Sequence, residues 1–139
     1  MMANDGQELE SFIRRWYDLW NAQDKESWLR HWRATCPGEP TLEDPVGTPV
    51  KHGWELAAQL WDRTGPDHPI VRIQQLITGG NEAVVVASNE GSYRGEPLVI
   101  PSVDVWRVNP GGTSAVRSFW EIPGHLPYGR WTARTGTPR

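Results

Sequence analysis

Glu43-Asp44-Pro45-Val46-Gly47-Thr48-Pro49, running on to Gly53, is the stretch around which the chain is organised. Pro45 biases Asp44 toward an extended backbone, and Gly47 and Pro49 mark a turn. The bend therefore presents the Asp44 carboxyl from stiff backbone. Two readings stay open at this point. The carboxyl is either an acid or base on a rigid loop, or a side chain that closes its own turn.

Helical patterns flank the bend. Residues 1–6 read as a disordered start. From Gln7 to Asn21, Leu9, Phe12, Ile13, Trp16 and Trp20 recur at intervals of three and four, with Glu10, Arg14, Arg15 and Asp18 on other sides. That spacing predicts an amphipathic helix. Asp24 is placed to cap a second helix from Lys25 to about Ala34, burying Trp28, Leu29 and Trp32. A third runs from Gly53 to about Arg63, with Trp54, Ala57, Ala58 and Trp61 on one face, and Thr64-Gly65-Pro66-Asp67 stops it.

Beyond it the period changes from 3.6 to 2. Ile70 to Thr78, Glu82 to Tyr93, Pro97 to Val108 and Thr113 to Ile122 read as strands joined by short Gly- or Asn-containing turns. Helices followed by an antiparallel meander make one α+β domain over residues 1–139, with its core at about 8–122 and a loose tail at 123–139. Three helices on the concave side of a twisted sheet leave a cone, a usual place for a small-molecule site. Both faces of the third strand are apolar, so the helices are expected to cover one and a second copy of the chain the other, in a homodimer.

Composition excludes several classes. The 139 residues carry a formal charge of −3, and no long basic run offers a nucleic-acid surface. No apolar run approaches the ~20 residues of a membrane span. Met1 to Gln7 has neither the basic nor the apolar region of a secretory leader. The lone Cys36 fits a reducing cytoplasm. His31, His52, His68 and His125 lack metal-ligand spacing, so no metal is expected. Nine Trp, against three Tyr and two Phe, are a large aromatic load on few positions.

Asp104 is the second acid that stands out, because it alternates with Ile100 and Trp106 in an apolar strand. Aspartate is disfavoured in strands and is rarely buried alone. Either it pairs with Arg72, Arg107 or Arg117, or it is a polar group placed in an apolar pocket for use. In the second case desolvation raises its pKa, and a protonated Asp becomes a hydrogen-bond donor. Asp44, on a loop open to water, would be the ionised base beside it.

These residues resemble the ketosteroid isomerase branch of the NTF2-like (SnoaL-like) superfamily over most of residues 8–122. Glu43-Asp44-Pro45-Val46-Gly47, with His52-Gly53 opening the next helix, is similar to that family's general-base loop. Val103-Asp104-Val105 is similar to its oxyanion-hole strand, and Phe119-Trp120-Glu121 to the aromatic end of its last strand. The resemblance implies an NTF2-like cone and a cofactor-independent isomerase or cyclase acting on an apolar ketone, steroid or polyketide-like. Asp44 would be the base and Asp104 the protonated donor.

The register places Trp16 where the family has its oxyanion Tyr, so Trp16 is the expected third catalytic group, with Tyr17 one position late. Trp32 and Trp61 fall on supporting Tyr positions. The remaining walls are expected from Ala87 and Asn89, from Ile100, Ser102 and Trp106, and from Val116, Ser118 and Trp120. Epoxide opening on the same fold is one alternative. The limonene type resembles an arrangement with Arg two positions before the strand Asp, where this chain has Ser102. Non-catalytic binding of a flat apolar molecule is the other.

Overall fold

The computed structural model describes residues 2–64 and 69–121. Three helices come first: α1 (Met2–Asn21), α2 (Lys25–Thr35) and α3 (Trp54–Thr64). Two short strands, β1 (Thr41–Glu43) and β2 (Lys51–His52), bracket the central bend. Four long ones follow: β3 (Ile70–Gly79), β4 (Glu82–Tyr93), β5 (Glu96–Val108) and β6 (Ser114–Phe119). The long strands form the expected meander. Beside it β1 lies parallel to β6 and antiparallel to β2, so the six-stranded sheet is mixed, in the order β2-β1-β6-β5-β4-β3. The result is three helices packed on a curved, open sheet, the NTF2-like α+β arrangement.

One expectation is corrected at the start of the chain. Residues 1–6 were expected to be disordered, yet α1 begins at Met2, so the helix carries its polar leading residues as regular backbone. The last strand is also shorter than expected, ending at Phe119, since Trp120 and Glu121 already leave the ladder. The helix stop at residues 65–68, Ile122 and the tail at 123–139 lie outside the described residues.

Side-chain alternation decides what the helices meet. On β5 Ile100, Ser102, Asp104, Trp106 and Val108 are buried, whereas Val99, Pro101 and Arg107 are exposed. β4 matches it with Ala83, Val85 and Ala87 inward. Against this face lies an indole cluster that accounts for most of the Trp count. Trp16 packs within 4.8–6.2 Å, centroid to centroid, of Tyr17, Trp20, Trp28, Trp32 and Trp106, and Trp61 closes on Trp20 and Trp28. Burying one indole removes roughly 150–250 Å² from water, worth on the order of a few kcal/mol. The cluster is thus the main apolar tie between helices and sheet.

The bend is attached to the sheet rather than hanging from it. Val46 N–H donates to the Ser118 carbonyl at 2.8 Å, at the end of β6. Thr48 closes the turn onto the Pro45 carbonyl through both its N–H (3.1 Å) and its hydroxyl (2.7 Å). Gly47 sits at φ +103°, a backbone that L side chains rarely adopt. Asp44 takes no part in closing this turn. Its carboxyl is left for the interior.

Candidate active site

A cavity of about 120 Å³ opens between α1, α3, the bend and the inner face of the sheet. Its walls are largely apolar, with Trp16, Trp20, Leu60, Val71 and Ile100 among them, and both Asp44 and Asp104 open onto it.

Asp104 is buried and accepts hydrogen bonds on both oxygens. The Tyr17 hydroxyl donates to Oδ2, and the Ser118 hydroxyl donates to Oδ1 at 2.5 Å. Behind Tyr17, the Trp106 indole donates to the phenol oxygen at 3.1 Å, completing a chain Trp106–Tyr17–Asp104–Ser118. No arginine among the described residues takes part. Arg107 and Arg117 stand on the opposite face of the sheet, where Arg117 pairs with Glu43 at 2.8 Å, and Arg72 pairs with Glu90 at 2.7 Å. Strand alternation forbids them the inner face.

Burial pushes the Asp104 carboxyl up, to about 6, and the Asp44 charge adds to the rise; the Ser118 and Tyr17 hydroxyls pull the other way. Burial also lifts Tyr17 well above the usual phenol range, with the Asp104 charge next in importance, so Tyr17 stays a phenol.

Asp44 is half-buried. The Trp120 indole donates to its Oδ1 at 2.6 Å. Desolvation raises its pKa, while Trp120, then Lys51, Arg63 and Ser118, oppose the rise. The expectation of a carboxyl open to water is therefore corrected: Asp44 is half-buried and partly desolvated. Both carboxyls are desolvated, and their different donors are what distinguish them. Ser118 stands between the two and acts on each.

The oxyanion position also needs correction. Trp16 lines the cavity, but its indole N–H is buried and has no acceptor among the described residues. Tyr17, one residue on, is the side chain that reaches Asp104. Adjacent helical residues point about 100° apart, so only one of the pair was expected to face the pocket. The buried stripe of α1 is wider than that. Leu9, Phe12, Ile13, Trp16, Tyr17, Leu19 and Trp20 are all buried, and both directions are covered. Trp16 turns into the indole cluster, and Tyr17 turns toward the sheet.

The other expected wall residues divide in two. Asn89, Ile100, Ser118 and Trp120 do line the cavity. Trp32 is fully buried and donates to the Ser114 hydroxyl at 2.8 Å, and Trp61, Ala87, Trp106 and Val116 belong to the core behind the wall. Ser102 is buried and accepts from the Asn89 amide at 2.8 Å. These residues support the wall rather than form it, because the inner face extends past the cavity toward α2. Sequence reasoning missed Trp20, Leu60, Arg63 and Val71. Trp20 stands one turn beyond Trp16 on the same stripe, which is a legible signal. Arg63 closes α3, where a charged residue reads as solvent-facing.

Among the described residues no group of three or more His, Cys, Asp or Glu is arranged to hold a metal ion, and no helix is long and apolar enough to cross a membrane.

The family profile described as a SnoaL-like domain matches residues 13–117. The chain belongs to that family. Three solved structures share the fold of this SnoaL-like chain. One is SalBIII, described as an epoxide hydrolase/cyclase-like enzyme with a role in pyran ring formation in the polyether salinomycin; it is 20% identical at TM-score 0.70, over 84% of this chain and 92% of that one. The second, from Jannaschia sp. CCS1, is described as SnoaL-like, and is 19% identical at TM-score 0.67, over 84% and 87%. The third is Bal32a, from a soil-derived mobile gene cassette, 13% identical at TM-score 0.66, over 84% and 92%. No curated protein sequence matches significantly.

Proposed function

We propose that this protein is a cofactor-independent acid–base enzyme, an isomerase or cyclase acting on an apolar ketone. Asp44 removes a proton from the carbon next to the carbonyl, and the electron pair moves onto the carbonyl oxygen as an enolate. The protonated Asp104, with Tyr17, donates to that oxygen. The same proton then returns from Asp44 to another carbon (isomerisation), or the enolate carbon attacks a second carbonyl (ring closure) and the proton goes to the alkoxide oxygen that forms there. No oxidant or cofactor is needed.

One observation carries this reading. Two desolvated carboxyls share one apolar cavity, each with its own hydrogen-bond donors. Desolvation at such a cost favours use, and a carboxyl pKa near 6 keeps both protonation states accessible around neutral pH. Tyr17 adds a hydroxyl that can pass its own hydrogen bond to the ligand when Asp104 carries the proton. Donors aimed at a developing oxyanion in a dry site supply much of such a rate enhancement.

The test is an absorbance assay on a panel of β,γ-unsaturated ketones, from small cyclic enones to a 3-ketosteroid, read at the conjugated product. Asp44→Asn and Asp104→Asn are run beside the wild type. Loss of turnover in both supports the assignment. Full turnover in Asp44→Asn refutes it.

Ring closure by epoxide opening is the second reading, favoured by the pairing of a carboxylate with a carboxyl that can be protonated near neutrality. Asp44 would activate a hydroxyl and Asp104 would protonate the epoxide oxygen, as chemistry of the kind named for SalBIII requires. Ser102, buried and bonded to Asn89, stands where the limonene type has Arg, which argues against that variant.

We also propose that a second copy covers the outer face. Val103 pairs across the sheet with Val86 and Phe119 there, and Val99, Ile77 and Phe119 are 61%, 53% and 40% exposed.

A further inference from the structure

One row of side chains crosses the inner face of the sheet and carries both acids. β6 lies between β1 and β5. On one side Ser118 is the register partner of Asp104 on β5. On the other, β1 runs parallel to β6 with Glu43 opposite Arg117, so the next step along both chains sets Asp44 beside Ser118. The Val46 N–H, bonded to the Ser118 carbonyl at 2.8 Å, holds the bend there. Glu43 and Arg117 pair on the outer face, and alternation turns Asp44, Ser118 and Asp104 together into the cavity, which all three line. Directly opposed side chains on neighbouring strands have Cβ atoms about 4.5–5.5 Å apart, close enough for one hydroxyl to serve both sides.

The groups bonded to the two acids differ in what they can pass on. A hydroxyl donates one proton and accepts at two lone pairs, so Ser118 can accept from Asp44 while it donates to Asp104 Oδ1, at 2.5 Å. Trp120 reaches Asp44 at 2.6 Å, but an indole N–H only donates. Tyr17 is placed between Asp104 Oδ2 and the Trp106 indole.

We propose that Ser118 is a proton relay between the two acids, so that Asp44 and Asp104 hold one proton in common and exchange it without water. In the exchange the Asp44 O–H bond breaks as its proton joins Ser118 Oγ, and the Ser118 O–H bond breaks as its proton joins Asp104 Oδ1. Asp44 becomes the carboxylate, Asp104 becomes the neutral acid, and the serine ends as it began. The use of the relay rests on the acid–base reading above. A cycle that leaves a proton on Asp44 and draws one from Asp104 is reset inside the cavity. Ser118 acts through the acids and not on the substrate, so it is a positioning residue.

Burial favours the protonated form of each acid, and Tyr17 on α1, Lys51 on β2 and Arg63 on α3 are the other titratable groups that act on the pair. With one proton on the pair, Ser118 accepts from the neutral acid and donates to the ionised one. That is a stronger set of bonds than the hydroxyl makes when both acids are neutral or both are charged. The hydroxyl therefore widens the pH range over which the pair holds a single proton.

Carbon-13 NMR of the side-chain carboxyl carbons, on the full chain, follows both acids against pH, with Asp44→Asn and Asp104→Asn assigning the signals. The wild type should show two separated steps. In Ser118→Ala the steps should converge, the lower rising and the upper falling, each by about half a pH unit or more. Ser118→Thr keeps the hydroxyl and should keep the wild-type spacing, and Ser118→Cys, a weak donor, should fall between. Movement of the Asp104 step alone in Ser118→Ala makes Ser118 an ordinary donor to Asp104 and overturns the relay. Steps that stay put, steps that both move in one direction, or convergence in Ser118→Thr equal to that in Ser118→Ala overturn it as well. No substrate enters the measurement. Failure of the ketone reading is seen separately, as intact turnover in Asp44→Asn, and leaves the titration result standing.

Discussion

Replacing Asp104 with Asn gives the sharpest physical test of the site, because it does not depend on knowing the substrate. The folded-state pKa of Asp104 is about 6, against 3.8 for an unperturbed Asp. A group whose folded pKa is raised binds its proton more tightly in the native state. Protonation therefore favours folding, and stability falls as pH rises between the two values. Each unit is worth about 1.4 kcal/mol, so the window from pH ~4 to ~6 contains about 3 kcal/mol.

Asp44 titrates in the same cavity and is also raised, so the wild-type curve alone mixes the two. The difference between wild type and Asp104→Asn isolates one. At pH 8 the variant no longer buries that charge, which favours it by up to about 3 kcal/mol. Its amide meets two hydroxyls that now donate to carboxylate oxygens, and the Ser118 hydroxyl must turn to accept, returning roughly 1 kcal/mol. Asp104→Asn should therefore be more stable than wild type at pH 8 and equal or slightly less stable at pH 4. Urea unfolding at half-unit pH steps measures it. A flat difference curve, or one in which the wild type gains on the variant as pH rises, refutes the claim that Asp104 is a desolvated carboxyl held against its preference.

Further predictions follow from the same geometry. On an identified ketone substrate kcat/KM should be bell-shaped, rising as Asp44 ionises and falling above about pH 6 as Asp104 loses its proton; a profile with no falling limb refutes the protonated donor. Tyr17→Phe should lower kcat by about 10²-fold or more, while Trp16→Phe should change it by only a few-fold, since the Trp16 N–H does not reach the cavity. Trp120→Phe removes a donor that holds the Asp44 pKa down, so the rising limb should move to higher pH with the falling limb unmoved. Val103→Lys should turn a dimer into a monomer in analytical ultracentrifugation; a monomeric wild type refutes the dimer proposal.

The local sequence determined most of the scaffold. Periods of 3.6 and 2 are written into consecutive residues, so three helices and four strands could be placed, most of them close to their observed ends, although α1 begins earlier and β6 ends earlier than the pattern suggests. The two acids were legible for the same reason. Each breaks a local rule: Asp44 sits in a proline-locked bend, and Asp104 sits in an apolar strand. Contacts between distant segments decided the rest. Whether Trp16 or Tyr17 meets Asp104 depends on how α1 is rotated against β5, and a buried stripe broad enough to hold both leaves that open until the sheet is in place. β1 lies parallel to β6, an arrangement that no pattern within either strand specifies. The electrostatic character of Asp44 comes first from burial and then from Trp120, Lys51 and Arg63, which arrive from just past β6, from β2 and from α3. Periodicity reports which side of its own element a residue faces. Desolvation and hydrogen bonding depend on what other elements bring to that side, and only the folded chain brings them together.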